Sequence, residues 1–166
     1  MIRLEQCDPV LAAAIRDETG SLFECQTSRF FDRSRHFINR GLEGDTGRYF
    51  SLRHDAAPGL VRLWLSLLAP TVPDLELDQG YINVYPAGGF IPPHRDNTGE
   101  GHLAMAVVPL QSHPEQGLMW YEDSTLARGH FIPDQIGQAV IFDSLAIPHA
   151  VPPVAEPRFS IVYLYR

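Results

Sequence analysis

The sequence predicts a mainly β protein with N-terminal helices, built as a double-stranded β-helix, that is, a jelly-roll or cupin-like barrel. Three observations predict it. From about residue 75, eight short apolar or alternating runs follow one another, with Gly, Pro, Asp and Ser between them. Ahead of them stand two stretches of helical period, 9–20 and 59–68. No linker or internal repeat interrupts the 166 residues, which predicts one domain: 1–74 as mostly helical support and 75–166 as the β-barrel core.

Taken in order, Asp8 is placed to cap a helix that begins at Pro9 and stops at Gly20. Residues 27–57 read as loops with one short strand at 48–52. The leucines and Trp64 of GLVRLWLSLL make the second helix, ended by Pro70. Strands follow at 81–85, 90–94, 102–110, 117–121, 129–132, 139–142, 150–154 and 159–165, the first two as a hairpin about the turn Pro86-Ala-Gly-Gly89.

Composition narrows the function. The net charge of −7 disfavours broad binding of phosphate backbones. All 13 basic residues are arginine, which suits forked recognition of a carboxylate better than diffuse attraction to a polyanion. Cys7 and Cys25 form no metal or redox spacing and read as free thiols of a reducing cytoplasm. The acids Glu5, Asp8 and Asp17 make the start a poor leader. The apolar stretch 60–70 contains Arg62 and is too short for a bilayer. A cytoplasmic protein with no membrane partner is expected, and its oligomeric state stays open.

Residues i and i+2 of a strand share a face. His94 and Asp96 in IPPHRDN therefore present an imidazole and a carboxylate to one point, with Arg95 turned away. The pattern is common by chance and gains weight from the C-terminal third. There His149 opens a strand, Arg158 follows, and Ser160 shares its face, while Phe159, Ile161, Tyr163 and Tyr165 take the other. Asn83 and Tyr85 share a face on the strand before His94. Two histidines and a carboxylate on one surface leave half an octahedron open, as in non-haem Fe(II) sites. Arg158 offers a fork for a carboxylate, and Ser160 and Tyr85 add hydroxyls. A second H-x-E, His113 and Glu115, lies in QSHPEQG, which reads as an exposed turn unable to fix two ligands.

With these residues the chain resembles the Fe(II)- and 2-oxoglutarate-dependent dioxygenases over 80–166. The resemblance rests on His94-x-Asp96, on His149, on Arg158-x-Ser160 and on the approach IFDSLAIPHAVPPV. Asn83-x-Tyr85 is similar to the alkylation-repair demethylases. The HLAMAVVP strand and the C-terminal end are nearer the proline and aspartyl hydroxylases. The resemblance implies that His94, Asp96 and His149 hold Fe(II). It implies that 2-oxoglutarate chelates the metal and pairs its distal carboxylate with Arg158, assisted by Ser160, Tyr85 and Asn83. His102, at a strand start, is either a further co-substrate contact or a satisfied core histidine. O2 is the remaining reactant, and succinate and CO2 leave as an unactivated C–H is hydroxylated. The carboxylate of Asp96 argues against halogenation, since the family's halogenases carry a small residue there.

Tyr81 and Trp120 are expected at the pocket mouth. Residues 20–57, with Arg33, Arg35, Arg48, Arg53 and His54, are expected to select the substrate: a small molecule, amino acid or peptide side chain, and no nucleic acid. Arg48 or Arg53 is expected to face the metal pocket and hold an acidic or amino-acid-like group. Three other readings stay open at this point: a nucleic acid demethylase of the alkylation-repair type, a metal-binding cupin that does not use 2-oxoglutarate, and a metal-free β-barrel binding module.

Overall fold

The structure, a computed structural model, describes residues 1–35, 47–96 and 101–166. The part of the expected substrate-selecting region at 36–46 lies outside the described residues. Strand β1 (Arg3–Gln6) precedes helix α1 (Pro9–Cys25), and β2 (Phe31–Asp32) and β3 (Phe50–Arg53) precede helix α2 (Gly59–Leu68). Eight strands follow: β4 (Leu77–Tyr85), β5 (Ile91–His94), β6 (Ala104–Pro109), β7 (His113–Tyr121), β8 (Gly129–Asp134), β9 (Gln138–Phe142), β10 (His149–Val151) and β11 (Arg158–Tyr165). They form two antiparallel sheets, a seven-stranded one in the order β1-β9-β6-β11-β4-β3-β2 and a four-stranded one in the order β5-β10-β7-β8.

Period-two patterning decides which face each strand buries. Ile82, Val84, Ala106, Val108, Ala139, Ile141, Phe159, Ile161, Tyr163 and Tyr165 point to one side of the large sheet. There they meet Ala12 and Ile15 of α1 and Val61, Leu65 and Leu68 of α2. Met105, Val107, Val140 and Phe142 point to the other side and pack against Leu118 of the small sheet. The Tyr163 and Tyr165 hydroxyls donate to the Leu65 and Pro70 carbonyls at 2.7 and 2.6 Å, tying α2 to the sheet at its C-terminal end.

Four expectations are corrected. Helix α1 runs through Gly20 to Cys25. A helical glycine costs only about 1 kcal/mol, and Phe23 beyond it packs edge-on against Phe30 and Phe50 at 5.0 and 5.1 Å. The region 1–74 also supplies three strands, and β1 closes one flank of the large sheet on β9. Strands β4 and β5 are not a hairpin. Pro92 and Pro93 lack N–H donors, so β5 cannot sit inside a sheet, and it lies at the edge of the small one beside β10. The sheets form an open two-layer jelly roll and do not close into a barrel. One corner joins them: Arg48 and Phe90 exchange backbone hydrogen bonds of 2.8 and 3.2 Å, and Gly88 and Gly89 pair with Val154. A side chain at Gly89 would lie 2.7 Å from the Pro86 carbonyl and 2.8 Å from that of Arg48, so only glycine fits there.

Leu65 is fully buried, whereas Leu63 on the same helix is exposed. Leu65→Ala should lower the unfolding free energy by about 2–5 kcal/mol and Leu63→Ala by less than about 0.5. Urea denaturation of the two variants checks the orientation of α2.

Candidate active site

The register of the small sheet sets four side chains in a row. His94 lies opposite His149, His149 opposite Trp120, and Trp120 opposite His130. Register partners share a face, and the edge-on contact of His149 with Phe142 at 5.0 Å turns this row toward the large sheet. The His94 and His149 ring centroids are 4.3 Å apart. Asp96 follows the end of β5, where its N–H donates to the Ser144 carbonyl at 3.0 Å. One ligand atom from each of His94, Asp96 and His149 lies within 4.8 Å of the other two.

The chemistry of this cluster fits a divalent metal. The Nδ1 atoms of His94 and His149 donate to the carbonyls of Pro92 and Ile147, at 2.9 and 3.0 Å. Both rings are thereby left with an Nε2 lone pair aimed inward. Asp96 Oδ2 is buried without a hydrogen-bond partner. Burial, reinforced by His94, holds His149 down to about 4, so the imidazole is neutral and free to coordinate at neutral pH. Burial pushes the Asp96 carboxyl up, but its interactions with the neighbouring His94 and His149 outweigh it and leave the carboxyl below its ordinary range. Two imidazoles and one carboxylate on one side of a point are the donor set of an open Fe(II) site.

The facing sheet supplies a second polar cluster. Arg158 is fully buried. It donates from Nε and Nη2 to the two oxygens of Asp134 at 2.7 and 2.9 Å, and from Nη1 to Ser160 Oγ at 3.2 Å. Its guanidinium lies over the Tyr85 ring at 5.0 Å, and the Tyr85 phenol, pushed up by burial, interacts with Asn83 and Ser160. Burial opposes the arginine's charge, and the Asp134 carboxylate more than offsets it. Arginine, serine and tyrosine side chains brought together in a buried cluster are a donor set that suits a carboxylate.

The remaining expected residues scatter. His102 is buried, but its Nε2 lies 2.7 Å from Asp78, which also pairs with Arg166. This cluster adjoins Tyr165, at the opposite end of β11 from Arg158. Tyr81 sits on the concave face beside Gln79, to which its hydroxyl donates. Trp120 stacks on His130 at 4.2 Å, next to His149. Arg53 is exposed and bound side-on to Asp55, and Arg48 is exposed beside Gly88. Arg53 lies opposite Tyr81 in the register of β3 and β4, at the exposed end of β3, and Arg48 spends its backbone hydrogen bonds on the corner. His113 and Glu115 lie in an irregular start of β7 instead of a turn, and the His113 ring accepts from the Glu115 N–H.

Four residues of the site were not singled out in the sequence: Asp134, Ser144, Tyr49 and His130. Asp134 had a signal, since a carboxylate two residues after Ile132 falls on the inward face of a strand. Tyr49 stacks on Tyr85 at 5.4 Å. Arg33 Nε donates to Ser51 Oγ at 3.4 Å, and Ser51 donates to Asn83 at 2.6 Å, so Arg33 also reaches the concave face. It stands in a single 3-10 turn, a position that carries no periodic signal.

With this geometry in view, the comparisons are specific. Residues 80–166 match the model of the 2OG-Fe(II) oxygenase superfamily, and the chain belongs to that family. Membership makes it a dioxygenase whose metal is Fe(II) and whose co-substrates are 2-oxoglutarate and O2. No curated protein matches it significantly. Among solved structures, a prolyl-4-hydroxylase of Pseudomonas putida is similar, with 19% identity, a TM-score of 0.67, and coverage of 99% of this chain and 91% of that one. A Trichoplax adhaerens prolyl hydroxylase, in complex with a peptide fragment of the hypoxia inducible factor oxygen degradation domain, aligns at 13% identity and TM-score 0.64, over 99% and 82% of the two chains. The epimerase SnoN, in complex with Fe3+, alpha ketoglutarate and nogalamycin RO, aligns at 14% identity and TM-score 0.65, over 99% and 78%. No helix among the described residues is long and apolar enough to cross a membrane.

The depressed His149 makes a pH prediction. Its folded value, about 4, lies below the unfolded value of 6.5, so the unfolded chain takes up the proton first as pH falls. Metal-free protein should be at full strength above about pH 6.5 and lose on the order of 3 kcal/mol as pH falls toward 4. His149→Gln should flatten that slope in urea melts taken across the range.

Proposed function

We propose that this oxygenase hydroxylates an unactivated C–H of a carboxylate-bearing small molecule, amino acid or peptide side chain. The observation that carries the reading is the placement of His94, Asp96 and His149 on one sheet, facing Arg158, Ser160 and Tyr85 on the other. His94, Asp96 and His149 would hold Fe(II) through two Nε2 atoms and one carboxylate oxygen, leaving positions for exchangeable ligands. Arg158, Ser160 and the Tyr85 hydroxyl would take the distal carboxylate of 2-oxoglutarate. Bound iron, with 2-oxoglutarate and O2, supplies the oxidising power, and succinate and CO2 are the co-products.

The chain's own residues aim and shield that chemistry. Ser144 holds Asp96 by its backbone carbonyl, and the carbonyls of Pro92 and Ile147 fix both imidazoles, so the ligands are set before metal arrives. Met105, Val107, Leu118, Val140 and Phe142 line the gap between the sheets with apolar surface and exclude water. The Trp120–His130 stack gives the substrate a flat wall beside His149. Arg33 has no carboxylate partner among the described residues, although the chain has 20 acidic residues. It lies over the Phe31 and Tyr81 rings at 5.1 and 6.0 Å, and it is assigned the substrate's acidic group. A peptide or metabolite suits the net charge of −7 better than a nucleic acid does.

A turnover screen over amino acids, peptides, carboxylic acids and oligonucleotides tests the reading. Succinate release coupled to a product heavier by one oxygen is expected with a carboxylate-bearing compound, and coupling to an oligonucleotide alone would sink it. Arg158→Ala should raise the 2-oxoglutarate requirement by about a hundredfold or more while Mn(II) affinity, measured by calorimetry, stays within about threefold. Arg33→Ala should raise the substrate KM about tenfold with kcat nearly unchanged, the mark of a binding contact equal in ground and transition states.

A further inference from the structure

The anchor assigned to 2-oxoglutarate is not a free cation. Asp134, the last residue of β8 in the small sheet, grips Arg158, the first residue of β11 in the large one, through both carboxylate oxygens at 2.7 and 2.9 Å. Neither side chain is more than 2% exposed. With the bond to Ser160, three of the guanidinium's five N–H groups are engaged within the protein itself.

Two physical consequences follow. An uncompensated buried arginine would destabilise the fold severely, and Asp134 removes that problem whether or not a ligand is bound. The same carboxylate cancels most of the field that a second carboxylate would feel on entering. A carboxylate approaching a lone buried guanidinium gains a full charge–charge attraction in low dielectric, whereas one approaching a closed ion pair gains only a charge–dipole attraction and hydrogen bonds. The Ser160 and Tyr85 hydroxyls, which interact with each other and with Asn83, can turn a donor toward a ligand oxygen, neutral or anionic.

We propose that Asp134 is a resident counter-ion of Arg158 that weakens the pocket's demand for charge. In consequence, 2-oxo acids whose far end is polar but uncharged bind nearly as well as 2-oxoglutarate. Asp134 acts through Arg158 and is a positioning residue. This inference rests on the assignment of Arg158 to the co-substrate made above.

The test is calorimetric binding to the Mn(II)-loaded protein, with 2-oxoglutarate and its 5-methyl ester as probes. The ester keeps the carbonyl acceptor and lacks the distal charge. In the wild type the two should bind within about tenfold of each other, where a lone buried arginine would give about a hundredfold or more. Asp134→Asn keeps the shape and an acceptor for Arg158. It should tighten 2-oxoglutarate by about tenfold or more and leave the ester within about threefold, and at equal concentration 2-oxoglutarate should raise its lowered melting temperature further than the ester does. Equal weakening of both ligands, or an unchanged ratio, would show a mere clamp between the sheets and overturn the proposal. If Asp134→Asn does not fold, the wild-type ratio decides, and a preference for the diacid beyond about a hundredfold overturns it. Failure of the wild type to bind 2-oxoglutarate at all would remove the assignment of Arg158 together with this inference. Binding with strong discrimination removes this inference alone.

Discussion

Strand β11 carries two incompatible jobs on its two faces. Phe159, Ile161, Tyr163 and Tyr165 must be buried under the helices, and Arg158 and Ser160 must look into the gap between the sheets. A shift of one residue would put an arginine against Leu65 and a phenylalanine in the pocket. The strand lies in the middle of the large sheet, paired along its length with β4 and β6, so its register is held from both sides. Register partners then inherit the division: Tyr85 and Asn83 on β4 fall beside Arg158 and Ser160 because of it. The tyrosine hydroxyls bonded to α2 carry the same constraint to the helical layer.

The small sheet answers to a different constraint. Its metal-facing row needs two histidines side by side, which requires β5 and β10 to be neighbours with His94 opposite His149. Neither strand is long, and the rings are not held by packing alone. Each is bonded to the carbonyl two residues earlier on its own chain, so ligand geometry is built locally, and the sheet has only to bring two prepared rings together.

Much of this was legible because it repeats with a short period. The eight strands from residue 75 were readable from alternation or from short apolar runs, as was α2 from its leucines, and His94 and Asp96 stood out once His149, Arg158 and Ser160 joined them in order. What escaped depended on partners distant in sequence. Nothing near Asp134 indicates that it meets Arg158, 24 residues away on the other sheet. The end of α1 was misplaced because a glycine's small local cost was overridden by Phe23 packing on Phe30 and Phe50. The approach of Arg33 to the concave side was not legible for a related reason. Arg48 and Arg53 flank a strand and were visible, whereas Arg33 arrives from a single 3-10 turn whose direction is set by its backbone bond to Tyr49.

The prolines of β5 bear on the protein's behaviour at high concentration. The strand that supplies His94 lies at the open border of its sheet, where an unpaired ladder would ordinarily invite a strand from another molecule. Successive amides of a strand point to opposite edges, so one of the two adjacent prolines removes an outward-facing donor that such a visitor would need. The border next to the reaction centre therefore resists aggregation without charged side chains, which would otherwise compete for the metal or repel an acidic guest.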